Sequence, residues 1–127
     1  MGAGTDLGRV RGLGAAKDGV HHWWLQRVTA VANIVLVLWF VFSLVRLPAL
    51  DYSSVTLWLR QPVAAVPMLL LIVSVFWHFR LGVQVLIEDY VQGPARVIAM
   101  LALSFYTLAG GAAAIFAVFK IALGAAA

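Results

Sequence analysis

The chain has 127 residues, 64% of them apolar and only 11% charged. Soluble domains are nearer half apolar and one-quarter charged, so a soluble globular fold is excluded, and a chain this apolar does not persist as solvated coil. The formal charge of +4 comes from nine basic residues placed around apolar blocks, which reads as bias toward one membrane face and not as a nucleic-acid surface.

Residues 1–20 hold six glycines and mixed charges with no apolar stretch, so they read as an exposed tail and not as a secretory signal peptide. Three uncharged blocks follow: 18 residues from Val28 to Val45, 17 from Gln61 to Trp77, and 23 from Val97 to Phe119. A helix needs about 20 apolar residues to cross roughly 30 Å of hydrocarbon. Backbone groups in lipid must be satisfied within the segment, so each block is expected to be a helix. The expected spans are 21–47, stopped by Pro48, then 62–90, and 95–123 after the Gly93-Pro94 break. Pro48 to Gln61 reads as a short loop with an interfacial turn at Val55–Leu59. The fold class is all-α, an integral membrane bundle of three transmembrane helices forming one anchor domain over 21–127. Three helices make a thin bundle whose ends carry polar groups, so packing against a partner membrane subunit is expected.

Arg9, Arg11, Lys17, Arg27 and Arg96 fall on one side of the bilayer, against Arg46, Arg60 and Lys120 on the other. The excess places the N-terminus and the second connection on the cytoplasmic or matrix side.

Ionisable groups within a span cost at least about 2.5 kcal/mol near its centre, so each marks a candidate site. The second span holds His78, Arg80, Glu88, Asp89 and Tyr90. His78 and Asp89 lie eleven residues apart, about 1100° of rotation, so they share one helical line with a rise of about 16 Å. With Asp89 at the inner interface, His78 falls near the midplane. Ser74, Gly82 and Val85 share its stripe, and Gly82 leaves room where a flat group can lie against the helix. Three readings stand for this histidine: a haem ligand, an interhelical hydrogen-bonding group, or a member of a proton relay. A haem with two imidazoles would take its second from another chain, because the spans contain no other deeply placed histidine. Arg80, Gln84 and Glu88 recur on a second stripe and read as a structural polar seam. Trp23, Trp24 and Trp58 suit the headgroup belt, and Trp39 and Trp77 suit packing.

The string His78-Phe-Arg-Leu-Gly-Val-Gln-Val-Leu-Ile-Glu-Asp-Tyr90 resembles the second membrane helix of the small haem-b anchor subunit of succinate dehydrogenase (complex II). Gly19-Val-His-His-Trp-Trp-Leu-Gln-Arg-Val-Thr-Ala30 resembles that family's entry into its first helix. The wording is similar to alphaproteobacterial and mitochondrial-type members. The S-x-x-x-R pattern of the larger cytochrome-b anchor is not evident.

The resemblance implies that His78 supplies one axial imidazole to haem b, the larger anchor supplying the other. It implies that Arg27 and His21 stand near the haem propionates. Tyr90 would donate to a ubiquinone carbonyl, supported by Asp89; no role is carried onto His22. The implied function is that of a membrane anchor subunit of succinate:ubiquinone oxidoreductase. The implied partners are the larger cytochrome b anchor, the iron–sulfur subunit, the flavoprotein subunit and membrane lipid, with no nucleic acid. The implied location is the bacterial inner membrane rather than the mitochondrial one, multi-pass, with the N-terminus cytoplasmic.

With no cysteine and no dinucleotide fingerprint, the flavin and the iron–sulfur clusters belong to other chains. Two other readings remain open from the residues. One is a proton or ion transporter subunit working through His78, Arg80 and Glu88, and the other is a purely structural anchor without haem.

Overall fold

A computed structural model describes residues 16–124, which form α1 (Ala16–Val45), α2 (Tyr52–Leu59), α3 (Pro62–Tyr90) and α4 (Pro94–Ala122). No strand occurs among the described residues. Three helices are long and apolar enough to cross a membrane: Gly19–Val45 within α1, α3 and α4. The expected tail 1–20 lies outside the described residues as far as residue 15, and 16–20 form the opening turn of α1. The first span therefore starts at Ala16 rather than at residue 21, and it ends at Val45 rather than residue 47.

The connection after α1 is more ordered than a turn, because Asp51 caps a helix there. Its Oδ1 accepts from the Ser54 backbone N–H at 2.9 Å, and its Oδ2 accepts from the Ser53 hydroxyl at 2.9 Å. An N-cap carboxylate satisfies donors that the first helical turn leaves free. Hydrogen bonds from Ser54, then Ser53, hold the Asp51 carboxyl below its ordinary value of 3.8. Trp58 of α2 stacks on Trp39 of α1 at 5.8 Å between centroids, with Phe40 at 6.3 Å. The Trp39 ring thus belongs to the tie between α1 and α2.

α3 opens with Pro62 at its first turn, where a missing N–H costs nothing. It ends before Gly93, whose φ of 64° and ψ of −151° lie in a region open essentially to glycine alone. Pro94 then starts α4. α3 packs on α1 along one side and on α4 along the other, and the backbones of α1 and α4 make no close approach among the described residues. The three spans form a row with α3 in the middle.

The two seams of the row differ. Between α3 and α4, Phe76 lies over Gly110 and Gly111, so closely that a Cβ on Gly110 would sit 2.9 Å from Phe76 Cε1. Small residues permit such close approach in membranes. Leu103, Thr107 and Val118 of α4 are buried, and the Thr107 hydroxyl donates to Leu103 O of its own helix at 2.8 Å. Between α1 and α3, aliphatic contacts are joined by hydrogen bonds that cross the seam. None of the residues of α1 in its membrane window is buried.

Candidate functional site

On α1, His22, Gln26, Thr29 and Asn33 recur at intervals of four, three and four residues, which gathers them on one face. That face meets α3. The Thr29 Oγ1 is 3.1 Å from Nδ1 of His78, and the Ser74 hydroxyl donates to Thr29 O at 3.3 Å. His78 is thereby half-buried on the inner side of the α1–α3 seam. Ser74 and His78 of its stripe face α1, whereas Gly82, Val85 and Asp89 are exposed. Gly82, one turn on, is exposed, and a Cβ there would meet only Gln26 Nε2, at 3.6 Å. The room expected beside the histidine is present, bordered by Gln26.

Two clefts flank this seam. An apolar one of about 380 Å3 is lined by Val28, Thr29, Ala32, Leu70, Ser74 and Trp77, among others. A more polar one of about 350 Å3 lies beside His21, His22, Trp77, Arg80 and Gln84. Trp77 borders both and stays about half exposed, so it lines openings rather than filling a core. Among the described residues, three buried oxygen or nitrogen atoms on the polar face of α1 lack a hydrogen-bonding partner: His22 Nε2, Gln26 Oε1 and Asn33 Oδ1. Unpaired buried polar atoms are costly in an apolar medium.

The remaining sequence candidates fall at two places. His21 is exposed and lines the polar cleft. Arg27 is exposed, does not line that cleft, and lies 5.3 Å over the ring of Trp23. Asp89 and Tyr90 sit on the last turn of α3, both exposed, with Tyr90 81% accessible. Among the described residues neither has a hydrogen-bonding side-chain partner.

The polar seam expected along Arg80, Gln84 and Glu88 is only partly formed. Gln84 Nε2 donates to Glu88 Oε1 at 3.0 Å, but Glu88 pairs with Arg96 of α4 at 4.0 Å and not with Arg80. A relay through His78, Arg80 and Glu88 lacks a continuous hydrogen-bonded line among the described residues. Among those residues no cluster of three or more metal-ligating side chains occurs. A bare ion therefore has no cage, whereas a metal that brings its own equatorial ligands needs only one imidazole.

A family model described as "Succinate dehydrogenase/Fumarate reductase transmembrane subunit" matches residues 1–121. The succinate dehydrogenase hydrophobic membrane anchor subunit of Paracoccus denitrificans is 32% identical over 116 residues, covering 91% of this chain and 90% of its own. The protein of the same description from Rickettsia bellii is 32% identical over 88 residues, covering 69% and 70%. The succinate dehydrogenase membrane anchor subunit of Reclinomonas americana is 34% identical over 80 residues, covering 61% and 67%.

Proposed function

The chain belongs to the family of succinate dehydrogenase/fumarate reductase transmembrane subunits, as a multi-pass membrane anchor, and from that premise we propose that it holds one side of a haem b and part of a ubiquinone site. His78 is the axial ligand in this reading. The observation that carries it is the hydrogen bond at the middle of α3, where Nδ1 is engaged by Thr29 and Nε2 has no partner among the described residues. A membrane histidine serving only to join helices needs no free second nitrogen. The adjoining apolar cleft and the unfilled position at Gly82 fit a broad, flat group. A b-type haem, when bound, supplies one-electron chemistry and takes its second imidazole from a partner membrane subunit.

Arg27 and His21, exposed near the start of α1, reach toward the haem carboxylates; a guanidinium fork suits a carboxylate. Quinone reduction takes two electrons and two protons, so its site needs a donor to the carbonyl oxygen and access to water. The Tyr90 hydroxyl donates to that oxygen, and Asp89 beside it orients a cationic group from the partner. Their exposure at a helix end supports this division of labour. The larger cytochrome b anchor, the iron–sulfur subunit and the flavoprotein subunit complete the assembly. The membrane is the bacterial inner membrane, with the N-terminal end of α1 on the cytoplasmic side, where the Lys and Arg excess lies.

The test uses the assembled complex in mild detergent. His78→Ala removes or shifts the reduced-minus-oxidised b-type bands, whereas Tyr90→Phe lowers quinone reduction several-fold with those bands intact. Unchanged bands in His78→Ala would support the haem-free anchor instead.

A further inference from the structure

We propose that Thr29 is the positioning residue for His78, dictating which ring nitrogen carries the proton and so presenting Nε2 as a bare lone pair. The proposal rests on the haem-ligand reading of His78 given above. Its basis is proton counting at one hydroxyl. The Thr29 Oγ1 lies 2.8 Å from Leu25 O and 3.2 Å from Gln26 O, one turn back on α1. Carbonyl oxygens only accept, so the single hydroxyl proton is committed to them. The same oxygen is 3.1 Å from His78 Nδ1 and has only a lone pair left to offer. With the hydroxyl proton on those carbonyls, Nδ1 is the nitrogen that donates to Thr29 Oγ1. A neutral imidazole has one ring proton, so Nε2 is the unprotonated nitrogen, the form that binds a metal.

The threonine is itself held. The Ser74 hydroxyl donates to Thr29 O at 3.3 Å from one turn before His78 on α3, so two bonds to one residue of α1 span one turn of α3. Val28, Ala32, Leu36, Leu70 and Val73 line the adjoining cleft and offer no competing side-chain donor or acceptor. The tautomer and the ring plane are thus set before any metal arrives. Once iron is bound, donation from Nδ1–H to the hydroxyl oxygen makes the imidazole a stronger electron donor, which favours the ferric state.

The experiment compares Thr29→Val, Thr29→Ser and Ser74→Ala in the assembled complex. Three quantities are read: haem retention against an excess of apomyoglobin, the midpoint potential of the b-type bands, and the low-spin electron paramagnetic resonance signal. Thr29→Val keeps the side-chain shape and loses the hydroxyl. Its expected result is about 10-fold weaker haem retention, an upward shift in midpoint potential and a broadened low-spin signal. Thr29→Ser restores all three. Ser74→Ala loosens the same seam without touching the ring and leaves the potential where it was.

If Thr29→Val keeps the wild-type potential and retention while His78→Ala abolishes the bands, the positioning role falls and the ligand stands. If His78→Ala leaves the bands intact, the ligand reading itself falls. A shift in Ser74→Ala as large as that in Thr29→Val would make the effect one of packing and overturn the proposal. Should Thr29→Val fail to assemble, Thr29→Ala replaces it, and equal behaviour of the Ala and Ser variants overturns the proposal.

Discussion

The two sides of α3 are built on opposite principles. Toward α4 the seam is apolar and close: Phe76 rests on a pair of glycines, and Thr107 turns its hydroxyl back onto its own helix. Toward α1 the seam is more polar and is flanked by two clefts, with two interhelical hydrogen bonds and three buried polar atoms that have no partner among the described residues. Hydrogen bonds between membrane helices average about 0.6 kcal/mol, so two of them hold α1 only weakly. Van der Waals packing gives the α3–α4 pair its cohesion. The lesson is a separation of tasks: one seam holds the chain together, and the other displays the candidate ligand.

The largest expected effect breaks the tight seam. Gly110→Leu drives a side chain into Phe76, and overpacking of this kind costs about 1–3 kcal/mol. It should lower the thermal midpoint of the complex in detergent by several degrees, while Gly82→Ala on the α1 side leaves it within a degree or so. Equal losses at the two glycines would erase the contrast.

A smaller effect sharpens it. Asn33 Oδ1 is buried without a partner, so Asn33→Leu removes an unpaid desolvation and should leave thermal stability level or raise it by up to about 1 kcal/mol. A clear fall in melting temperature would mean that the assembled seam supplies Asn33 with a partner.

The smallest effect concerns the far end of α1, where α2 grips it through Trp58. Asp51 has a folded pKa below 3.8, so its capping contribution is fully present above the unfolded value and is lost as pH falls through the folded one. Tryptophan fluorescence should stay flat from pH 6 down to about 4 and change only below 3.8, and Asp51→Asn should blunt that change.

Much of the row was legible in the residues. Pro62 and Gly93-Pro94 punctuate α3 unmistakably, and eleven-residue spacing placed His78 and Asp89 on one line of it. The partner face of α1 was not seen, because Gln26, Thr29 and Asn33 are uncharged and hide inside a hydropathy average. The same rotation arithmetic that found the stripe of His78, applied to α1, would have exposed them. α2 was read as a turn, although Asp51 three residues ahead of Ser54 is a capping signal visible in the string. The start of α1 falls earlier than expected because the glycines and mixed charges of residues 1–20 read as a tail, whereas a single glycine within a long helix costs only about 1 kcal/mol. Arg80 was placed with Glu88 by spacing alone; an arginine on the next helix, close in space and distant in sequence, took its place.

Because the backbones of α1 and α4 stay apart among the described residues, the helices are arranged like an open book with α3 as its spine. The α3–α4 pages are bound by Phe76 on its glycine pair, while the α1 cover is fastened by Thr29 against Ser74 and His78 and, at its far end, by Trp39 against Trp58. A guest lodged beside the central histidine therefore displaces contacts of α1 alone and none of those between α3 and α4.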